Sequence, residues 1–262
     1  MSDPDTERRS LSRGEWAAVI LAVVVVAAAL WVWLRKPESA PGPSLQPAPE
    51  AAPQQAPAPE EAPTAVTDAQ ARPQLESVSD DVNFRRWLAV AGDIVRRWAI
   101  VTDNLAQGVS PRKQLEAAAP GGRFQVIERR GKTFMAPESY ARYDEFARAV
   151  ASVKAQVFAT VYKALRPAVQ VAYRALGYPT GSLDAATLRA LRRIEGAPVA
   201  DGDVELAPER GLYLFADPKL ESLSEVDKHL LRMGPRNTRA IQAKAREIRE
   251  ALALPAEPAS AK

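Results

Sequence analysis

Apolar residues change their spacing twice along the chain, and the changes divide it into three parts. Residues 16–34 read WAAVILAVVVVAAALWVWL, 19 apolar positions without a break. At about 1.5 Å rise per residue this is roughly 28 Å of helix, matching the hydrocarbon core of a bilayer, and it predicts one N-terminal transmembrane helix. Ala27 and Ala29 offer the A-x-A-like pair of a cleaved leader, but the apolar run continues to Leu34, where a leader would turn polar. Trp16 at one end and Trp31 and Trp33 at the other fall where amphipathic rings favour the headgroup level, and Arg35 with Lys36 closes the run. Residues 35–79 carry almost no large apolar side chain and are rich in Pro, Ala and Glu. Such a stretch cannot bury a core and predicts a disordered linker.

From residue 80 to 253 the apolar positions recur at three and four residues, the mark of amphipathic helices. Phe84, Trp87, Leu88 and Ala91, then Ile94, Val95, Trp98, Val101 and Leu105, predict two helices separated at Gly92-Asp93. Residues 124–128 and 132–135, joined by Arg129-Arg130-Gly131, predict a short hairpin. From Tyr140 to Leu165 one helical face persists, with a break allowed at Ser152, and Pro167 is expected to kink or split the helix beyond it. Gly177-Tyr178-Pro179 is a stop, residues 183–195 form another helix, and residues 204–206 and 212–215 are short extended pieces. Ser224 with Asp227 resembles a capping box, Gly234 ends the helix it opens, and Pro235 starts the last one. No internal repeat is evident. The fold expected is a mainly α globular head with a minor β hairpin over residues 80–253, followed by a disordered tail at 254–262.

Charge adds an address. Three arginines precede the apolar span (Arg8, Arg9, Arg13) and two cations follow it, with no further Lys or Arg before Arg72. The short 1–15 tail is therefore expected in the cytoplasm and the head outside, which in a Gram-negative cell means an inner-membrane protein with a periplasmic head. Residues 80–253 hold 28 Lys plus Arg against 21 Asp plus Glu, a net +7, while the rest holds 7 against 11, a net −4. A basic head attracts polyanions non-specifically. Arg85 and Arg96, like Arg86 and Arg97, stand eleven residues apart and would share a stripe on a continuous helix.

With no Cys and one His, thiol nucleophiles, disulfides, structural zinc and any site needing two imidazoles are excluded. No phosphate loop or dinucleotide fingerprint occurs, and no cofactor or metal is expected. Asp103, Asp144, Glu145 and Asp217 are the carboxylates at marked positions, and two that converged would suit glycoside hydrolysis beside a cell wall. Nothing in their spacing makes them converge, since adjacent residues such as Asp144 and Glu145 point about 100° apart on a helix. His229 reads as a helix-surface imidazole near a C-terminus. Arg232, Arg236, Asn237 and Arg239 surround a helix start and form a candidate anion or partner site, or else a joint whose arginines tie to Asp217 or Glu221. Tyr178, Tyr213 and Asp217 lie in loop-like sequence and form a candidate groove.

The strings VTDNLAQGVSPRK (101–113), SYARYDEF (139–146), ALGYP (175–179), LYLFADPKLESL (212–223) and HLLRMGPRN (229–237) occur in that order. In them the chain resembles the bacterial family catalogued as domain of unknown function 3014, over about residues 80–252. The resemblance implies a single-pass, membrane-anchored protein and transfers no catalytic residue. The expected function is binding or scaffolding in the cell envelope, the partners being the lipid bilayer through residues 16–34 and an envelope protein or wall polymer. No nucleic acid is expected with the head outside; a cytoplasmic head would make the basic helix pair at 224–252 a nucleic-acid candidate.

Overall fold

The computed structural model describes residues 66–255. The predicted cytoplasmic tail, transmembrane helix and most of the linker lie outside these residues; among the described ones no helix is long and apolar enough to cross a membrane.

The described chain opens on α1 (Asp68–Glu76), inside what the sequence reads as linker. The boundary at residue 79 is corrected: Ala71, Leu75 and Val78, spaced four and three residues apart, are buried in the main core, as is the Ser79 side chain. Thr67 and Gln70 close a reciprocal capping box that starts α1. Pro73 does not stop the helix. The Asp68 carboxylate accepts from the Asp93 and Ile94 N–H groups at 2.7 and 2.8 Å, so α1 caps a helix 25 residues downstream. The tail boundary moves as well, since Leu254 packs on the same core.

Helix α2 (Val82–Val90) is capped by Asp81, and α3 (Ile94–Gln107) follows after the predicted break. Because the helix is interrupted at 91–93, the expected arginine stripes do not run along one surface. Strands β1 (Val126–Arg129) and β2 (Lys132–Met135) form the predicted hairpin. The single helical face expected from residue 140 to 165 is three helices: α4 (Pro137–Ala141), α5 (Asp144–Ala151) and α6 (Ala155–Arg174). The break before α6 is held by the N-terminal segment, with Ser79 Oγ 2.6 Å from Ser152 Oγ and the Lys154 N–H donating to the Val78 carbonyl. Pro167 does not split α6. Val161, Tyr162 and Leu165 before it and Val169 and Tyr173 after it are all buried, and this burial exceeds the roughly 3 kcal/mol that an interior proline costs.

Helix α7 (Leu183–Gly196), strands β3 (Glu205–Glu209) and β4 (Leu212–Phe215), α8 (Pro218–Glu221) and α9 (Glu225–Leu252) complete the chain. The two short extended pieces are thus a second hairpin, and β2 pairs with β3 through Thr133↔Leu206 and Phe134↔Glu205 to make one antiparallel sheet, ordered β1-β2-β3-β4. The fold is mainly helical with this small sheet. Arg129–Asp203 and Lys132–Glu205 ion pairs, each 2.7 Å, clasp the hairpins from the exposed side.

A repeat that the residues conceal is visible in the elements. A 14-residue helix, a hairpin, a short helix begun by proline, a helix of two turns and a long helix occur in α3–α6 and again in α7–α9. Each hairpin turns on Arg-Gly, Arg130-Gly131 and Arg210-Gly211, with positive φ at both positions as a two-residue turn requires. Each closes with the same bond, Ala136 N–H to Gln125 O and Ala216 N–H to Glu205 O. The second two-turn helix and the long helix after it are the halves of α9, which Gly234 interrupts at φ 80°, ψ 163°. The two 14-residue helices pack together in the main core, where Ala99, Ala106, Ala186 and Ala190 are all buried and permit close approach.

Candidate functional site

The predicted cluster Arg232, Arg236, Asn237 and Arg239 sits at the Gly234 break of α9, and each member is bonded within the fold. Asn237, 5% exposed, donates to Asp144 Oδ1 at 2.9 Å and to the Tyr140 and Met233 carbonyls at 3.2 and 3.0 Å. Arg236 pairs with Asp144 at 2.6 Å, and Arg239 with Asp201 at 2.5 Å. Burial pushes the Asp144 carboxyl up, but the bonds from Asn237 and Arg236 outweigh it and hold the group below its usual range. The guanidinium of Arg232 lies 4.7 Å from the Phe215 ring centre and donates to the Tyr213 carbonyl at 3.2 Å. This is a joint between α9, α5 and the sheet. Its acids are Asp144 and Asp201; Asp217 caps α8 and Glu221 holds Lys228 and the Phe215 N–H.

Arg232 also protects the sheet. β4 is an edge strand of apolar sequence, Leu-Tyr-Leu-Phe, and such an edge is a template for unwanted pairing. Arg232 occupies the Tyr213 carbonyl and Glu221 the Phe215 N–H, so two of its outward groups are taken. Arg232→Ala is expected to cost about 1–2 kcal/mol through the lost ring contact and hydrogen bond, measured by urea unfolding, and to raise concentration-dependent aggregation. Unchanged unfolding and solution behaviour would contradict this role.

The groove residues do not meet. Tyr213 stacks obliquely on Phe124 beneath the sheet, their rings 5.7 Å apart, whereas Tyr178 packs against the main core. Tyr178 does open onto a cleft of about 540 Å³, formed where the C-terminal half of α3, the loop after α6 and the start of α7 come together. Its ring stacks on buried Tyr173 with centres 5.2 Å apart and planes 19° from parallel. The phenol accepts from Gln107 Nε2 at 2.6 Å and donates to Asp103 Oδ2 at 3.3 Å. Asp103 and Gln107 share a face because they are four residues apart on α3. Arg189 also lines the cleft.

The loop shaping this cleft is stapled from below. The Gln170 amide donates to the Gly181 carbonyl and accepts from the Leu183 N–H, both at 2.8 Å. A Cβ on Gly181 would stand 2.7 Å from Tyr178 Cβ and 3.0 Å from the Tyr173 ring, so glycine permits the loop to close on the aromatic pair. Beside it, Asp184 accepts from Tyr162 Oη at 2.7 Å and from two Arg166 nitrogens. The Arg166 guanidinium chiefly holds the Asp184 carboxyl low, while burial chiefly raises the Tyr162 phenol.

The carboxylates singled out for catalysis have separate occupations. Asp144 is in the joint, Glu145 faces Arg86 at 3.9 Å, Asp217 caps α8, and Asp103 is bonded to Gln107 and Tyr178. Among the described residues no group of acids and imidazole could hold a metal ion. His229 is not the surface residue expected. It is half-buried, edge-on to Tyr143 at 5.9 Å, with Ser110 Oγ 3.4 Å from Nδ1. Burial first, then Arg232 and Arg112, lowers its pKa. The unfolded chain therefore takes up this proton at a higher pH than the folded one. Stability from His229 is complete above about pH 6.5 and declines as pH falls toward the folded pKa. His229→Gln should flatten that part of a stability–pH curve; an imidazole titrating at the ordinary value by NMR would contradict it.

The family model described as protein of unknown function (DUF3014) matches residues 94–249. No curated protein and no solved structure matches the chain.

Proposed function

The chain belongs to the DUF3014 family, and on that premise we propose that it is a binding module of the cell envelope. Residues 16–34 anchor it in the inner membrane, residues 1–15 stay in the cytoplasm, and the Pro/Ala-rich stretch carries the helical head into the periplasm, where it engages a wall polymer or an envelope protein. The observation that carries the reading is the Tyr178 cleft, which combines an aromatic wall, a polar rim and a loop already fixed in place. Ligand clefts have this composition: mostly apolar lining with a few placed polar groups. Catalysis is disfavoured because the acids singled out for it each serve an internal contact, and acid–base chemistry needs a carboxylate within reach of its substrate.

Reporters active in only one compartment, fused after Leu45 and after Lys262, test the topology. Periplasmic activity at both positions is expected. Cytoplasmic activity at both would remove the anchor-and-head arrangement.

A further inference from the structure

We infer that the Tyr178 cleft takes an uncharged carbohydrate chain; this rests on the head being an envelope binding module and names the ligand class of that same site. The volume, about 540 Å³, lies within the roughly 300–1,000 Å³ that ligand clefts span. One wall is a half-buried tyrosine backed by a fully packed one, a rigid apolar plate of the kind on which a pyranose lays its C–H face. At its edge stand a carboxylate and a primary amide, Asp103 and Gln107, bonded to the Tyr178 hydroxyl and to each other, and the Arg189 guanidinium also lines the cleft. The rim thus carries both acceptors and donors. Sugar hydroxyls both donate and accept, and they satisfy such a mixed rim without bringing charge of their own.

Other ligand classes fit less well. A phosphate-rich polymer would meet the carboxylates of Asp103 and Asp184, and a cationic side chain would meet Arg189. A wholly apolar ligand would strip water from Asp103 and Gln107 and return no hydrogen bond. The Gln170 staple and the Tyr173–Tyr178 stack hold the shape in advance, which reduces the ordering that binding must impose.

Chitotetraose, a neutral acetamido-sugar tetramer, serves as the probe. The full chain is titrated in a detergent without a sugar headgroup and followed by saturation-transfer NMR and calorimetry. Wild type should bind, and Tyr178→Ala should weaken binding by about tenfold or more. Gln107→Ala, a change at an exposed position, should weaken it several-fold and guards against a Tyr178 variant that misfolds. No binding by wild type, or binding indifferent to both changes, overturns the proposal. A photo-reactive residue at Thr180, on the cleft rim, separates this failure from failure of the binding-module reading. Crosslinks to glycan in cells support both, crosslinks to polypeptide alone overturn the carbohydrate assignment and leave the module, and no crosslink overturns both.

Discussion

Replacing Gly234 by alanine is expected to lower stability by about 3–5 kcal/mol, the largest single-residue effect anticipated for this fold. Two independent costs add. The backbone at φ 80°, ψ 163° is a conformation that essentially only glycine adopts. A Cβ there would also stand 2.7 Å from Tyr140 Cδ1 and 2.8 Å from Cγ. Since α9 must bend at this point to carry Leu230, Leu231 and Met233 on one side and Ile241 on the other into buried positions, the strain cannot be relieved by straightening it. Thermal unfolding should shift down by about 6–20 °C, given roughly 2–4 °C per kcal/mol for a domain of this size. Adding Tyr140→Ala to Gly234→Ala should remove the two ring contacts, leaving the Tyr140 Cβ contact at 3.0 Å and the backbone share. A Gly234→Ala protein melting like wild type would show that this joint is not rigid.

Asp184→Ala is expected to cost about 1–3 kcal/mol. The change leaves the Tyr162 hydroxyl, on a side chain only 1% exposed, with Thr187 Oγ1 at 3.3 Å as its remaining partner, and it frees the Arg166 guanidinium to water, so the cost lies mainly at the buried phenol. The pH dependence carries the opposite sign from that of an acid raised by burial alone. Arg166 lowers the folded Asp184 pKa, so its contribution is complete above the unfolded value near pH 4 and is lost as pH falls through the folded one. Urea melts of wild type and Asp184→Asn between pH 7 and pH 2 check this: the difference between them should shrink toward the acid end. A constant difference would mean that Asp184 acts through packing alone. Because Asp184 also borders the Tyr178 cleft, loss of stability and loss of ligand affinity should appear together here and separately in Gln107→Ala.

The elements recovered from sequence were those whose cause is local. The three-and-four spacing from Phe84 to Leu105 produced α2 and α3, the Arg-Gly turn produced the first hairpin, and Ser224 and Gly234 opened and broke α9 where expected. Helix α1 escaped because its composition resembles the linker before it. Its signal was nevertheless present: Ala71, Leu75 and Val78 at helical spacing behind a Thr67-to-Gln70 capping box. Pro167 misled for the converse reason, since a local penalty was outweighed by burial on both sides of it. The repeat of α3–α6 in α7–α9 was invisible because equivalent positions carry different residues, for example Met135 and Phe215 at the ends of β2 and β4, both buried.

Sites depended on distance along the chain. Arg232, Arg236, Asn237 and Arg239 were recognisable as a group because they lie within one helix start, yet their partners Asp144, Asp201 and the Tyr213 carbonyl come from three other elements. Tyr178 was singled out, while Asp103, Gln107 and Arg189 reach it only when α3, α7 and the loop after α6 are packed. By itself the sequence determined most of the helices, the first hairpin turn, the break at Gly234 and the family, since propensity, periodicity and backbone stereochemistry act between neighbours. Only the tertiary structure decided that α1 belongs to the head, that two hairpins share one sheet, that the arginines form a joint, and that the cleft lies at Tyr178. Each of those rests on which distant groups share burial and exchange hydrogen bonds, and a chain acquires such neighbours only by folding.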